Sequence, residues 1–290
     1  MITVGDVTIH RILEQDTPIF DPLAFFPGLT PEVMEADSAA HPNEWRDGKT
    51  GLLNLPVQSY VVKTPHHTVL VDTCVGNHKE RPTRAFWHMR DDDSFLRNLA
   101  AAGFQPEDFD YVMCTHLHVD HVGWNTKLED GRWVPTFPKA RYVFSAAEEA
   151  YWRGEHAKAP VHPYADSVLP IIEAQRAELV SDDHGIGDHL RFTPTPGHTP
   201  HHCAIEVGNR GIDAVLSGDL IHSPLQLRYP DLGMRADVDG VQGAATRRKF
   251  LDCHCETRTL LCTAHFPQPS MGRVARAGDG YGWEVLGREP

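Results

Sequence analysis

The sequence lacks long apolar runs and an excess of positive charge. No stretch approaches the about 18–20 uninterrupted apolar residues that a membrane span requires, so we expect no membrane partner. Its 27 Lys and Arg residues against 40 Asp and Glu residues give a net charge of −13, which argues against nucleic acid as a partner. The first residues show no basic region before an apolar core, so no cleavable signal is expected.

Cysteine is sparse, whereas histidine is abundant. The six cysteines are scattered and form no C-x-x-C pair, which argues against a disulfide framework and favours a reducing, cytoplasmic location. The 19 histidines supply the side chain that most often binds metals and transfers protons near neutral pH. The unusual chemistry of this chain should therefore be sought among its histidines.

Patterns along the chain predict a layered α/β protein with mixed sheets. Two strand-like runs at 56–63 and 67–72 precede an alternation of short apolar strands with helical segments. We expect one domain over residues 1–290. Proline and phenylalanine without a clear period at 20–28 predict an irregular loop, and we expect the region of about 17–50 to cover the active site.

The most informative segment follows the apolar strand predicted at Tyr111–Cys114. It contains His116, His118, Asp120 and His121, which are all metal-ligand types. In extended backbone, His116 and His118 point to the same side, whereas the adjacent Asp120 and His121 diverge. The spacing therefore suggests two ions side by side, each bound by part of the motif.

Three further candidates follow apolar strands elsewhere: His198, Asp219 and His265. The carboxyl ends of neighbouring strands converge on one crevice in layered α/β folds, so these residues are expected to meet the first segment. One divalent ion would take His116, His118 and His198, the other would take Asp120, His121 and His265, and Asp219 would bridge them. Imidazole with carboxylate favours zinc, although iron, manganese or cobalt would fit the same ligands.

A plainer interpretation, as surface or hydrogen-bonded residues, applies to His10, His41, His66, His67, His156, His162 and His184. It also applies to His201 and His202, although their closeness to His198 in the sequence leaves them a secondary chance of supporting the site. The Cys253–Cys255 segment resembles half of a metal site, but residues i and i+2 of its predicted helix do not face each other.

These motifs together resemble the metallo-β-lactamase fold superfamily of hydrolases. The carriers are Thr115–His121, Pro196–Thr199, Ser217–Asp219 and Ala264–His265, in that order and each after a strand. The resemblance implies a four-layer αβ/βα sandwich with the metals at one edge. It also implies that Asp72, in Val71-Asp72-Thr73, supports the ligands without binding metal. Asp219 makes the chain most similar to the methyl parathion hydrolase and acyl-homoserine lactonase relatives.

The resemblance implies a dinuclear metal-dependent hydrolase, in which a metal-bound hydroxide attacks an ester-type bond. The expected substrate is small, neutral and partly apolar: a lactone, an aryl or carboxylic ester, or a phosphotriester. Asp120 would pass a proton to the leaving group and Tyr229 would donate to the oxyanion. The residues expected to line the substrate are Phe25, Phe26, Trp124 and His222.

Alternatives of other classes stay open. They are a glyoxalase II-like thioesterase, a persulfide dioxygenase with one iron, and a metal-binding module without catalysis. The resemblance also implies a homodimer.

Overall fold

The computed structural model describes residues 1–286, in which two units are recognised. Residues 1–15 and 57–187 form the first unit, and residues 16–56 with those from 188 onward form the second. The strands in chain order are β1 (Ile2–Val4), β2 (Val7–Gln15), β3 (Val57–Lys63), β4 (Thr68–Val71), β5 (Tyr111–Met113), β6 (Thr126–Glu129), β7 (Arg132–Pro135), β8 (Arg141–Ser145), β9 (Ala177–Val180), β10 (Gly185–Ile186), β11 (Leu190–Pro194), β12 (Cys203–Val207), β13 (Ala214–Leu216), β14 (Leu260–Cys262), β15 (Met271–Ala277) and β16 (Gly280–Val285).

The α-helices in chain order are α1 (Pro22–Phe25), α2 (Pro31–Ala40), α3 (Ser94–Ala101), α4 (Ala146–Lys158), α5 (Leu169–Glu173), α6 (Leu225–Arg228) and α7 (Gly240–His254). A π-helical segment, Tyr164–Val168, leads into α5. Within residues 1–286, no helix combines the length and apolarity needed to cross a membrane.

The sheet of the first unit changes from antiparallel to parallel. Its strands are ordered β1-β2-β3-β4-β5-β8-β9, antiparallel as far as β4 and parallel from β4 to β9. Because β4, β5 and β8 run in one direction, their carboxyl ends lie at one edge of the sheet. Asp72 follows β4 and the predicted ligand segment follows β5, so sheet direction alone brings them to the same place.

The second unit places its candidate residues in the same way. Strands β11 to β16 are neighbours in chain order, and every pair is antiparallel except β13 and β14. The parallel pair is joined through α7, whose Phe250 and Leu251 pack with Val215 and Leu261 of these two strands. Asp219 and His265 therefore follow strands that end at the same edge.

The α/β class with mixed sheets is confirmed, but the irregular loop expected at 20–28 is wrong. Asp21 caps α1 by accepting from the Ala24 N–H, and Thr30 caps α2 in the same manner. In both helices proline stands at the first position, where its missing N–H costs nothing. The single domain and the covering role of residues 17–50 stay predictions.

A buried arginine fixes the segment between Asp219 and α7. Arg247 is almost fully buried, and its guanidinium donates to the carbonyls of Leu220, Pro230 and Leu232 at 2.7–3.0 Å. Burial lowers the pKa of Arg247 to about 10, so the side chain keeps its charge at neutral pH. One side chain thus supplies donors to three backbone carbonyls, of which that of Leu232 also accepts from the Gln226 amide at 2.8 Å.

Arg247→Met should lower the free energy of unfolding by about 2–4 kcal/mol, because the carbonyls of Leu220, Pro230 and Leu232 lose their hydrogen bonds from the guanidinium. Its neighbour Arg248 is exposed and pairs with the exposed Asp231, so Arg248→Met is the matched control and should change stability little. Urea denaturation of both variants measures the difference. Equal stabilities would contradict the assigned role of Arg247.

Candidate metal centre

In the first unit, the segment after β5 gathers three imidazoles. The ring centroids of His116 and His118 lie 4.6 Å apart, and those of His116 and His121 lie 4.1 Å apart. His116 and His121 are buried, whereas His118 and Asp120 are partly exposed. This segment therefore offers a compact group of metal-ligand types at the end of one strand.

Asp72 holds this segment from the end of β4. Its carboxylate accepts from the backbone N–H of Thr115 at 2.8 Å, from the Thr115 hydroxyl at 2.9 Å and from Nδ1 of His121 at 2.9 Å. The backbone at Asp72 adopts φ = 58°, a conformation that aspartate tolerates better than most residues. Because Nδ1 of His121 donates here, its Nε2 carries the lone pair.

The same tautomer is favoured at His116. The Thr115 hydroxyl donates to Asp72, so its oxygen is left to accept from Nδ1 of His116, 3.1 Å away. Nε2 of His116 then also carries a lone pair. An outer hydrogen bond to Nδ1 that leaves Nε2 basic is the usual arrangement around metal-binding histidines.

In the second unit, Asp219 lies between imidazoles. Its Oδ1 is 3.0 Å from Nε2 of His265, and its Oδ2 is 3.2 Å from Nε2 of His198. All three side chains are buried. The two oxygens of one carboxylate therefore serve two different histidines.

The remaining nitrogens of these histidines already have acceptors. Nδ1 of His265 lies 2.8 Å from the Pro56 carbonyl, which can only accept, so Nδ1 must carry a proton. Nδ1 of His198 lies 2.8 Å from the Asp237 carboxylate. Without a further positive charge, two Nε2 lone pairs would face the oxygens of Asp219, and this arrangement would be repulsive.

The site therefore requires positive charge beside Asp219. Burial lowers the pKa of His198, but hydrogen bonds and charges from Asp219 and Asp237 outweigh it and raise this pKa to about 9. A divalent cation can satisfy the same demand, and Nε2 atoms with carboxylate oxygens are suitable ligands for it. The residues present fit a metal site.

The sequence of this chain matches one family model over most of its length. The metallo-β-lactamase superfamily model covers residues 53–279, a span that includes all the candidate ligands. The chain belongs to the metallo-β-lactamase superfamily.

Curated relatives within this superfamily are lactonases. An N-acyl homoserine lactonase of Bacillus cereus is 28% identical over 161 residues, which is 52% of this chain and 58% of the relative. An N-acyl homoserine lactonase AttM of Rhizobium radiobacter is 26% identical over 180 residues, 58% of this chain and 65% of the relative. The chain thus spans under two thirds of the length of either relative.

Solved structures show the fold over the whole chain. AidC, described as a dizinc quorum-quenching lactonase with a product bound, has a TM-score of 0.83 at 20% identity and covers 100% of this chain and 97% of its own. The hydrolase AbOPH of the β-lactamase superfamily has a TM-score of 0.82 at 24% identity with the same coverage. The metallo-β-lactamase fold expected from the motifs is confirmed.

The predicted substrate residues of this superfamily member occupy different surroundings. Phe25 lies edge-on to His222 with ring centroids 5.7 Å apart, and Phe26 is fully buried in the core of the second unit. Trp124 is buried in the first unit, where it stacks on Phe95 and donates to Glu14 at 2.6 Å. Tyr229 is exposed at the end of α6.

His222 lies closer to the ligands than the sequence indicates. Its Nε2 is 3.2 Å from Oδ2 of Asp219, and its ring stacks parallel to that of His265 at 5.7 Å. Burial lowers the pKa of His222, although the charge of Asp219 opposes this effect. His222 is therefore placed to contact whatever binds beside Asp219.

One supporting residue, Asp237, was missed in the sequence, and a second, His202, was expected there only as a secondary chance. Asp237, which orients His198, is an aspartate in a polar loop 39 positions further along, and no spacing indicates it. His202 accepts from the backbone N–H of Asp219, and its closeness to His198 in the sequence was a partial signal. Asp237 contacts the side chain of His198, and His202 contacts the backbone of Asp219, so both support candidate ligands.

The backbone before His198 leaves no space for a side chain. Gly197 has φ = +134°, and a Cβ there would lie 2.2 Å from the backbone nitrogen of Gly243 in α7. The carbonyl of Gly197 accepts from Asp239, and that of His198 accepts from Val238. This close approach ties the His198 loop to the start of α7.

Gly197→Ala should destabilise the protein by about 2 kcal/mol or more, since backbone atoms must move apart. Gly211 has a similarly positive φ of +158° with nothing within 4 Å of an added Cβ, so Gly211→Ala isolates the cost of the backbone conformation alone. Urea denaturation compares the two variants. A Gly197→Ala variant no less stable than Gly211→Ala would contradict the clash.

Proposed function

We propose that this chain is a metal-dependent hydrolase that cleaves small ester-type substrates, with lactones first among them. The observation that carries the proposal is the carboxylate of Asp219 between Nε2 of His198 and Nε2 of His265, whose Nδ1 atoms are both engaged elsewhere. This arrangement calls for cations that share Asp219.

The candidate ligands divide into two sets, one for each divalent cation. We propose His116, His118 and His198 for one cation, and Asp120, His121 and His265 for the other, with the Asp219 carboxylate shared between them. With Asp219 shared, each cation receives three protein ligands besides the bridge. Zinc suits this donor set and is the metal that we propose.

When bound, such cations lower the pKa of water and polarise a carbonyl or phosphoryl oxygen. The chain itself supplies the geometry: Asp72 and Asp237 orient one imidazole each, and Asp219 fixes the spacing. Asp120 is partly exposed, so we assign it the transfer of a proton to the leaving group. We keep Tyr229 as donor to the oxyanion, because its exposed side chain is free to reorient towards a substrate.

The relatives support the lactone within the ester class. The curated relatives are N-acyl homoserine lactonases, and AidC is described with the product of such a lactone. The net charge of −13 disfavours an anionic substrate, whereas Phe25 beside His222 suits a neutral, partly apolar one. Among residues 1–286, Nδ1 of the buried His222 has no hydrogen-bond partner, so it is available to a polar substrate group.

The cysteines bear on the cellular setting. All six lie within residues 1–286 and none of them forms a disulfide, which supports a reducing, cytoplasmic location. A homodimer stays a prediction from the family resemblance.

Asp219→Ala should lose one metal equivalent and most of the activity, because the carboxylate shared by both ligand sets is removed. The measurement is elemental analysis combined with rates on a panel of lactones, aryl esters, phosphotriesters and a glutathione thioester. Asp231→Ala is the control, since Asp231 is exposed and pairs with Arg248. Chelation should abolish the wild-type activity, and zinc should restore it.

Several results would contradict the proposal. A single iron per chain would indicate a persulfide dioxygenase, and preference for the thioester would indicate a glyoxalase II-like enzyme. A metal-replete protein inert on the whole panel would indicate a binding module. Unchanged metal content and rate in Asp219→Ala would remove the bridging assignment.

Phe25→Ala should raise KM for lactones with long acyl chains and leave kcat nearly unchanged, because it removes apolar contact without touching the ligands. Short-chain lactones are the internal control and should be hydrolysed almost normally. Equal effects on short and long chains would contradict contact between Phe25 and the acyl chain.

A further inference from the structure

His202 makes a hydrogen bond that no ligand role explains. Its ring is fully buried, and its Nε2 accepts from the backbone N–H of Asp219 at 3.0 Å. Its ring centroid lies 6.2 Å from that of His198, and the two rings are nearly perpendicular. Neither ligand set includes His202.

The backbone of Asp219 needs such an acceptor. Asp219 lies in a short 3₁₀ turn, Gly218–Leu220, with φ = −91° and ψ = 19°, after Gly218 at φ = +50°. N–H groups at the start of a helical turn have no partner within it. Removing Nε2 of His202 would therefore take away the acceptor of a buried backbone N–H.

Thr195 sets the tautomer that makes this possible. Nε2 of His202 accepts, so a neutral ring carries its proton on Nδ1, which lies 2.8 Å from the Thr195 hydroxyl oxygen. The same oxygen accepts from the Ala204 N–H at 2.9 Å, and the Thr195 N–H donates to the His202 carbonyl at 2.8 Å. The ring is thus fixed by β11 and β12.

We propose that His202 is a positioning residue, which fixes the backbone of Asp219 and thereby sets the affinity for the cations that share this carboxylate. The inference rests on the proposed metal site. Because both oxygens of Asp219 serve different ligand sets, a small rotation of its backbone would disturb both cations together.

Two substitutions of His202 distinguish the role of its acceptor atom, Nε2, from that of the rest of the imidazole ring. Gln can place an oxygen near the position of Nε2, whereas Asn can replace only Nδ1. His202→Asn should therefore weaken zinc binding by about 10–100-fold, the range for outer partners of metal ligands. His202→Gln should remain close to the wild type. His189→Asn is the control, because His189 is a buried histidine of the same unit that contacts Asn209 instead.

Zinc affinity is measured by competition with a chromophoric chelator, and melting of the metal-free proteins reports any purely structural effect. Equal losses of affinity in His202→Asn and His202→Gln would overturn the proposal, as would wild-type affinity in His202→Asn. If His202→Asn does not fold, the zinc affinities of Thr195→Val and Thr195→Ser are compared instead, because only serine keeps the hydroxyl that contacts Nδ1 of His202. Only the valine variant should weaken zinc binding, and equal affinities would overturn the proposal.

Zinc binding by the wild-type protein distinguishes failure of the proposed function from failure of the proposed role of His202. Wild-type protein that binds no zinc contradicts the proposed function itself. Wild-type protein with two equivalents and an unaffected His202→Asn variant overturns only the role of His202.

Discussion

The candidate site depends on the buried carboxylate of Asp219, whose oxygens face the Nε2 atoms of His198 and His265. Asp219 has an imidazole Nε2 at 3.0–3.2 Å from each of its oxygens, and the Nδ1 atoms of these rings are already engaged. Such an arrangement is repulsive without positive charge, and burying the charge of a carboxylate is costly. Every outer contact, from Asp237 to the Pro56 carbonyl, maintains this demand for a cation. The site is thus organised around a charge that the chain itself supplies only by protonation.

Strand direction explains how residues far apart in the sequence become neighbours. In the first unit, parallel β4 and β5 deliver Asp72 and the His116 segment to one edge of their sheet. In the second unit, parallel β13 and β14 deliver Asp219 and His265. The ligands therefore lie in loops, where side chains can converge, while the strands that carry them are buried and rigid.

A feature of the fold or of the site could be predicted where the residues that form it are close together in the sequence. The His116 segment was predictable because its ligands are close in sequence and follow an apolar strand, and the fold class followed from the alternation of strands and helices. Asp237 was not predictable, and His202 was only a secondary chance beside His198, because the partners of both residues are fixed only by the folded chain. The helices α1 and α2 were missed although Asp21 and Thr30 precede prolines, since the aromatic residues nearby suggested an irregular loop.

Residues with positive φ lie beside the candidate ligands, and Asp72 is the one among them that is not glycine. Asp72 and Gly218 have φ of +58° and +50°, and Gly197, next to His198, has φ of +134°. A positive φ in a residue other than glycine costs on the order of 1 kcal/mol, and the surrounding hydrogen bonds must offset it. Cations that bind only the folded chain add stability that grows with the logarithm of their concentration. Folding and metal binding would therefore be coupled in the proposed site: these loops present the candidate ligands, and cations bound there would stabilise the folded conformation.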